Sequence, residues 1–190
     1  MPTLFVLQNN ALTKYGSRSP RPPILLVKHI RFAISVINEK HQIVACELTT
    51  PDVDNPTAVP ELLDQIATPI STFMDDGAYN GEPVSQAVLG KHPDAQIIIP
   101  PRNTAVVSQA GNTQRDEHIQ TIAKLGRMPW QKLTGYNTRN YAALAVQCYK
   151  HIFGNTLKAR ALPQQKTEAC ISSSVLNIMT MLGMPVSVKI

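Results

Sequence analysis

The sequence of 190 residues contains only 3 cysteines, and they lie far apart, at Cys46, Cys148 and Cys170. An odd, widely spaced set argues against a disulfide framework and against the closely paired ligands of a zinc cluster. We therefore expect three free thiols, buried or half-buried, in a reducing, cytoplasmic setting.

Long apolar runs are also missing. No stretch approaches the roughly 20 apolar residues of a membrane-spanning helix. The first residues, Met-Pro-Thr-Leu-Phe-Val-Leu, lack the basic flank of a secretory signal. These two absences predict a chain without a membrane partner. The length and a hydrophobic content of 43% suit one domain, residues 1–190, with a sizeable core.

Acidic residues are scarce in the C-terminal part of the chain. Residues 114–190 hold 10 Lys/Arg and 3 Asp/Glu, whereas residues 1–113 hold 8 and 10. A basic region of this kind fits the phosphate backbone of DNA, and it fits a solvated surface without a partner equally well. Charge alone does not decide between the two.

The hydrophobic pattern predicts an α/β chain in which strands come first and helices later dominate. β-Type runs occupy 4–7, 24–27, 32–37, 42–49, 70–74 and 96–99. A proline-rich irregular stretch covers residues 17–30. Helices are predicted from Thr57, over 83–89, from a capping box at Thr113 and Asp116, and over 137–153 and 164–182.

Two carboxylates follow the strand predicted at 70–74. Asp75 and Asp76 are succeeded by Gly77-Ala78-Tyr79-Asn80-Gly81, a turn that backbone and a metal ion can both approach closely. On its own, Asp-Asp-Gly is typical of a solvated turn. At the end of a strand it also fits a ligand for a hard cation such as Mg²⁺, which prefers carboxylate oxygens.

A second pattern lies on the helix predicted at 137–153. At 100° per residue, Tyr136, Arg139, Ala143 and Lys150 fall within an arc of about 60°. The same geometry predicts that Leu144, Cys148 and Ile152 face the core. Two basic residues on one face are typical of a solvated surface, and they also suit contacts with DNA phosphate.

Together the two patterns resemble bacterial insertion-sequence DDE transposases of the IS-four/IS-five-like group. The helix motif of that group is Tyr, two residues, Arg, three residues, Glu, six residues, Lys. Tyr136, Arg139 and Lys150 keep this spacing, and Ala143 stands in place of the glutamate. Supporting stretches begin at Ile98, Thr113, Gly126 and Gln165, and the similarity covers about three quarters of the chain.

The resemblance implies an RNase H-like mixed sheet flanked by helices, with a helical, basic C-terminal third. It implies Mg²⁺ or Mn²⁺ held by three acids, of which Asp76 is the second. Gln8 and Ala143 stand at the positions of the two others, and Gln8 is a neutral and poor substitute. The family's N-terminal part that recognises transposon ends is not visible in this sequence.

DNA contacts are implied for further residues. Arg139 and Lys150 would meet DNA phosphate beside Tyr136, while Trp130 would stack on a base or serve as a packing anchor. The other candidates for contacts with DNA are Arg102, Arg115 and Arg127.

Three hypotheses on function follow. The first is a truncated, degenerate transposase with impaired phosphodiester cleavage and strand transfer. The second is a non-catalytic module that binds DNA or an intact transposase, or pairs with a second copy of itself, and acts as an inhibitor. The third is a hydrolase built around Asp76 with other acids, namely Asp52, Asp54 or Glu168.

Overall fold

The structure is a computed structural model. It describes residues 3–12, 30–37, 42–49, 53, 55–109, 111, 113–154 and 156–183. The predicted strand at 24–27 and almost all of the irregular stretch 17–30 lie outside these residues, as do Asp52 and Asp54.

Five strands form one mixed sheet in the order β3-β2-β1-β4-β5. The antiparallel part contains β1 (Thr3–Leu12), β2 (Ile30–Ile37) and β3 (Gln42–Thr49). The short strands β4 (Thr72–Met74) and β5 (Gln96–Ile98) are parallel to β1 and to each other. The strand predicted at 42–49 is therefore confirmed with its bounds. Those predicted at 4–7, 32–37, 70–74 and 96–99 are confirmed with shifted ends.

Six α-helices accompany the sheet in the part of the chain that the structure describes. The first two alternate with strands: α1 (Val59–Asp64), which follows a 3₁₀ turn at Asn55–Ala58, and α2 (Glu82–Lys91). After β5 every described element is a helix or a single 3₁₀ turn, as the sequence predicts. These helices are α3 (Gln114–Leu125), α4 (Arg127–Thr134), α5 (Asn140–Phe153) and α6 (Leu162–Gly183).

Side chains alternate between two cores because successive residues of a strand point to opposite faces of the sheet. Phe73 and Ile97 join α1 and α2 on one face. Met74 and Ile98 join α4, α5 and α6 on the other. The sheet is thus the middle layer of an α/β/α arrangement. None of the described helices is long and apolar enough to cross a membrane.

Helix α3 begins with the predicted capping box. The Thr113 hydroxyl accepts the N–H of Asp116, and the Asp116 carboxylate accepts the N–H of Thr113. Asp116 also accepts the N–H and the hydroxyl of Ser108, at 2.8 and 2.5 Å. These hydrogen bonds lower the pKa of Asp116 below its usual value. The box therefore fixes the loop that precedes α3 as well as the helix itself.

Helix α4 is absent from the sequence predictions. It lies between Gly126 and Gly135, whose φ angles of 89° and 68° are positive and hence natural for glycine. The stretch is only 8 residues long and contains a proline, and both features disguise a helix in the sequence. The two glycines are the signal that marks its ends.

The predicted orientation of α5 is wrong. Ala142, Val146 and Tyr149 are its buried residues, and α5 packs on β1 and β2 through that side. The residues predicted to face the core, Leu144, Cys148 and Ile152, are exposed. The small side chain of Ala142 permits close approach to the sheet. Moreover, Tyr136–Arg139 form a 3₁₀ turn, so the rotation of 100° per residue assumed for an α-helix does not apply to Tyr136 and Arg139.

The outer edge of the sheet is covered by two carboxamides. The Asn177 side chain of α6 accepts the N–H of Ile43 and donates to its carbonyl, both at 2.8 Å. The side chain of Gln65, which follows α1, accepts the N–H of Cys46 at 3.0 Å and donates to the Cys46 carbonyl at 3.3 Å. Free edge groups invite pairing with another chain. Both side chains therefore protect β3 and tie it to the helices.

We predict that Asn177→Ala lowers the free energy of unfolding by about 1–3 kcal/mol, because two part-buried groups of Ile43 lose their partners. Urea denaturation measures the change. Ser174→Ala is the control on the same helix, since its exposed hydroxyl donates to the carbonyl of Cys170, one turn earlier. We expect a change of about 0.5 kcal/mol or less. Equal effects of the two substitutions would contradict the role of Asn177.

Candidate active site

The candidate site begins where β4 ends. Asp76 has an extended backbone, and its Oδ1 accepts the N–H of Ala78 at 2.9 Å, which caps the 3₁₀ turn Gly77–Tyr79. A Cβ at Gly77 would lie 3.2 Å from the carbonyl oxygen of Pro100. The glycine therefore lets the turn pass close to the chain that follows β5. This turn presents the Asp76 carboxylate at the sheet end.

Arg139 pairs with that carboxylate. Its Nη2 lies 3.3 Å from Oδ2 of Asp76, and the Asp76 side chain is 47% exposed. The guanidinium also lies over the ring of Tyr136, 5.9 Å from the ring centroid, and Tyr136 packs on Trp130 at 5.4 Å. Buried Trp130 thus supports Tyr136, which positions Arg139 against Asp76.

Asp75 is fully buried beside this pair. Its Oδ1 accepts the N–H of Asp76 at 2.7 Å, whereas its Oδ2 has no hydrogen-bond partner among the described residues. Burial raises the pKa of Asp75 well above the ordinary value, and the charge of Asp76 raises it further. The N–H of Asp76 and the guanidinium of Arg139 lower the pKa in part. Asp75 is therefore a buried acid at the base of the site.

The structure brings Asp76, Tyr136 and Arg139 together. Ala143 follows Arg139 by one helical turn and is exposed on α5; Lys150 is partly buried two turns later. Gln8 lies in β1, with its Cα paired to that of Ala33. The last residue pair between the parallel strands β1 and β4 is Phe5 with Met74. Gln8 lies three residues after Phe5, and Asp76 lies two residues after Met74. Both therefore lie toward the same end of the sheet.

The other residues predicted to contact DNA behave differently. Trp130 is completely buried, so the prediction that it stacks on a base is wrong and the packing alternative is confirmed. Arg115 donates to Oδ1 of Asn80 at 2.7 Å and to the carbonyl of Val106, and Arg127 donates to the carbonyl of Pro101 at 2.7 Å. Arg102 is exposed.

Two supporting residues are absent from the sequence predictions. Buried His118 bonds the carbonyl of Ile97 through Nε2 at 2.8 Å and accepts the indole N–H of Trp130 at Nδ1. This pattern requires the neutral tautomer protonated at Nε2. Asn80 receives Arg115 and donates to the carbonyl of Ile99 at 3.3 Å. His118 and Asn80 each bond residues that are distant in sequence, so no pattern among neighbouring residues predicts these contacts.

The site does not fit a pair of divalent metal ions. Within the described ranges, no group of three or more His, Cys, Asp or Glu residues could hold one. One Asp76 oxygen caps the turn and the other faces Arg139, while Asp75 is sealed from solvent. Glu168 accepts the N–H groups of Lys158 and Ala159 instead. We therefore derive no chemical step through a metal.

We predict that Asp75→Asn stabilises the protein increasingly as the pH rises from 4 to 8. The folded-state pKa of Asp75 is raised, so the folded state binds the proton more tightly than the unfolded state. Stability is then lost as the pH rises above the unfolded value. The asparagine removes that loss. We expect its Tm advantage to grow by about 2–4 °C or more over this range.

Thermal unfolding at several pH values measures this advantage. Asp94→Asn is the control, because Asp94 is an exposed carboxylate. A constant Tm difference between Asp75→Asn and the unaltered chain across the pH range would contradict the buried-acid interpretation.

A solved structure aligns with 97% of this chain, the cryo-EM structure of a piggyBac transposase synaptic complex with hairpin DNA. The identity is 11% and the TM-score 0.37, and the chain spans 55% of the length of that protein. A TM-score this low supports no conclusion on fold or function.

A family model described as a transposase DDE domain matches residues 30–182. The match includes β2 to β5, Asp76 and the motif on α5, whereas β1 with Gln8 precedes it. Because it covers well over half of the 190 residues, the chain belongs to the family of transposases with a DDE domain.

Proposed function

We propose that this chain is a degenerate insertion-sequence DDE transposase of the IS-four/IS-five-like group, whose phosphodiester cleavage and strand transfer are impaired. The observation that carries the proposal is the surroundings of Asp76. Its partner is the guanidinium of Arg139, and the next turn of the helix carries Ala143 where the motif has a glutamate.

The sheet supports an RNase H-like assignment for the core. Three antiparallel strands are followed by two that are parallel to the first, in the order β3-β2-β1-β4-β5. Helices cover both faces. In this arrangement Gln8, within β1, and Asp76, just after β4, lie toward the same end of two neighbouring parallel strands. We therefore treat position 8 as that of the first acid and position 143 as that of the third.

The charges explain the impairment. DDE transposases use divalent metals, which stabilise the attacking and leaving oxygens of phosphodiester cleavage. Metals of this kind need several carboxylates. At this site one guanidinium balances one carboxylate, and neither Gln8 nor Ala143 adds a negative charge. A divalent ion would meet Arg139 as a competing cation and too few ligands.

We predict no detectable nicking of supercoiled plasmid DNA by the native chain in Mg²⁺ or Mn²⁺. The double variant Gln8→Asp, Ala143→Glu should nick at least about 100-fold faster, since each 1.4 kcal/mol of transition-state stabilisation is worth tenfold in rate. Adding Asp76→Asn to the double variant is the control and should abolish the gain. Circular dichroism spectra establish that all three proteins fold.

Nicking by the native chain would overturn the proposed impairment and assign the chemistry to other carboxylates. An inactive, folded double variant would contradict the placement of the two missing acids.

DNA binding is the part of the ancestral function that the chain could retain, and it underlies the alternative of an inhibitory module. Residues 114–190 keep their basic excess. Arg102 lies exposed on the segment between β5 and α3, whereas Arg115 and Arg127 are bound to protein acceptors. We propose Arg102 as a phosphate contact because it is exposed, and Lys150 because it keeps the lysine position of the motif on α5.

We predict that duplex DNA binding weakens steeply with salt. Arg102→Gln should lower the slope of log affinity against log salt by about 1, because one phosphate contact is lost. Fluorescence anisotropy measures the slope. Lys91→Gln is the control, since Lys91 at the end of α2 already pairs with Asp64 of α1. No binding even at low salt would exclude the inhibitory DNA-binding module.

A further inference from the structure

Cys46 and Cys170 meet where α6 packs on the edge of the sheet. The thiol of Cys170 donates to the carbonyl of Cys46 at 3.9 Å, across 124 residues of sequence. The Cys46 side chain belongs to the same core cluster as Ala169, the residue that precedes Cys170 on α6. Cys46 and Cys170 are therefore neighbours where α6 packs on β3.

The contact is fixed on both sides. Asn177 holds Ile43 by two hydrogen bonds, and Lys166 pairs with Glu47 at 2.5 Å. These contacts lie before and after Cys46 on β3, and one to two turns to either side of Cys170 on α6. Disulfide geometry is demanding, so two thiols can be joined only if their backbones are already close. The flanking contacts keep β3 and α6 at a constant spacing.

The two thiols differ in access to solvent. Cys170 is exposed, whereas Cys46 is 8% exposed. Burial, followed by the neighbouring Cys170, raises the pKa of the Cys46 thiol, so that Cys46 is a poor nucleophile toward reagents in solvent. A reagent therefore meets Cys170 first and reaches Cys46 through it.

We propose that Cys46 and Cys170 form a redox-reversible thiol pair, which small-molecule disulfides oxidise to an internal disulfide between β3 and α6. The Cys170 thiolate attacks one sulfur of the small disulfide and releases the first small thiolate. The Cys46 sulfur, losing its proton to solvent, attacks the Cys170 sulfur and releases the second. The protein loses two protons and two electrons, and the reagent takes them up and leaves as two thiols.

The oxidised form closes a long loop of chain between residues 46 and 170 and so restricts the unfolded state. It also fixes α6 to the strand that forms the outer edge of the sheet. This proposal does not depend on the catalytic state of the candidate site.

The test treats the reduced 190-residue chain with oxidised glutathione under native conditions. Mass spectrometry without reduction then maps the disulfides and the free thiols. We expect an internally crosslinked peptide pair containing Cys46 and Cys170. Cys148 serves as the matched comparison, because it is an exposed cysteine on a neighbouring helix. It should gain glutathione and no internal partner.

Variants establish the order of events. Cys148→Ser should still form the internal disulfide, and its Tm should rise on oxidation by about 5 °C or more. Cys46→Ala should stop with glutathione on Cys170, and Cys170→Ser should leave Cys46 reduced. The mapping of the unaltered chain and of Cys148→Ser requires no change in the core. Glutathione that accumulates on Cys170 while Cys46 stays free in those two proteins would overturn the proposal.

Discussion

The alternation of side chains along β4 is the constraint on which the rest of the site depends. Phe73 and Met74 enter opposite cores, so the two residues that follow them inherit opposite environments. Asp75 remains sealed and orients the N–H of Asp76, whereas Asp76 emerges toward Arg139. A shift of one residue in this strand would exchange the buried and the exposed acid.

The helices after β5 are held to this strand end by contacts between residues far apart in sequence. His118 joins the carbonyl of Ile97 to the indole of Trp130, and Trp130 supports Tyr136. The position of Arg139 therefore depends on a buried chain of polar and aromatic contacts that begins at β5. Low exposure makes these contacts costly to break, because each leaves a buried polar atom without a partner.

Local patterns in the sequence predicted the positions of the strands and helices well, but they predicted poorly which side of an element is buried. Alternating apolar runs identified β3, β4 and β5, and Thr113 with Asp116 identified the start of α3, because those signals lie within a few residues. The buried side of α5 was predicted wrongly. That helix carries apolar residues on both sides, and the choice between Ala142 and Leu144 is made by the sheet. The burial of Asp75 likewise comes from packing.

Electrostatics connect the fold to the proposed loss of catalysis. A half-exposed ion pair such as Asp76 with Arg139 is worth little in stability, because solvent screens it. Its importance is that it gives Asp76 a permanent cationic neighbour. With acids at positions 8 and 143, the site would carry an excess of negative charge that only metal ions balance. Without them, the guanidinium of Arg139 balances the exposed carboxylate of Asp76.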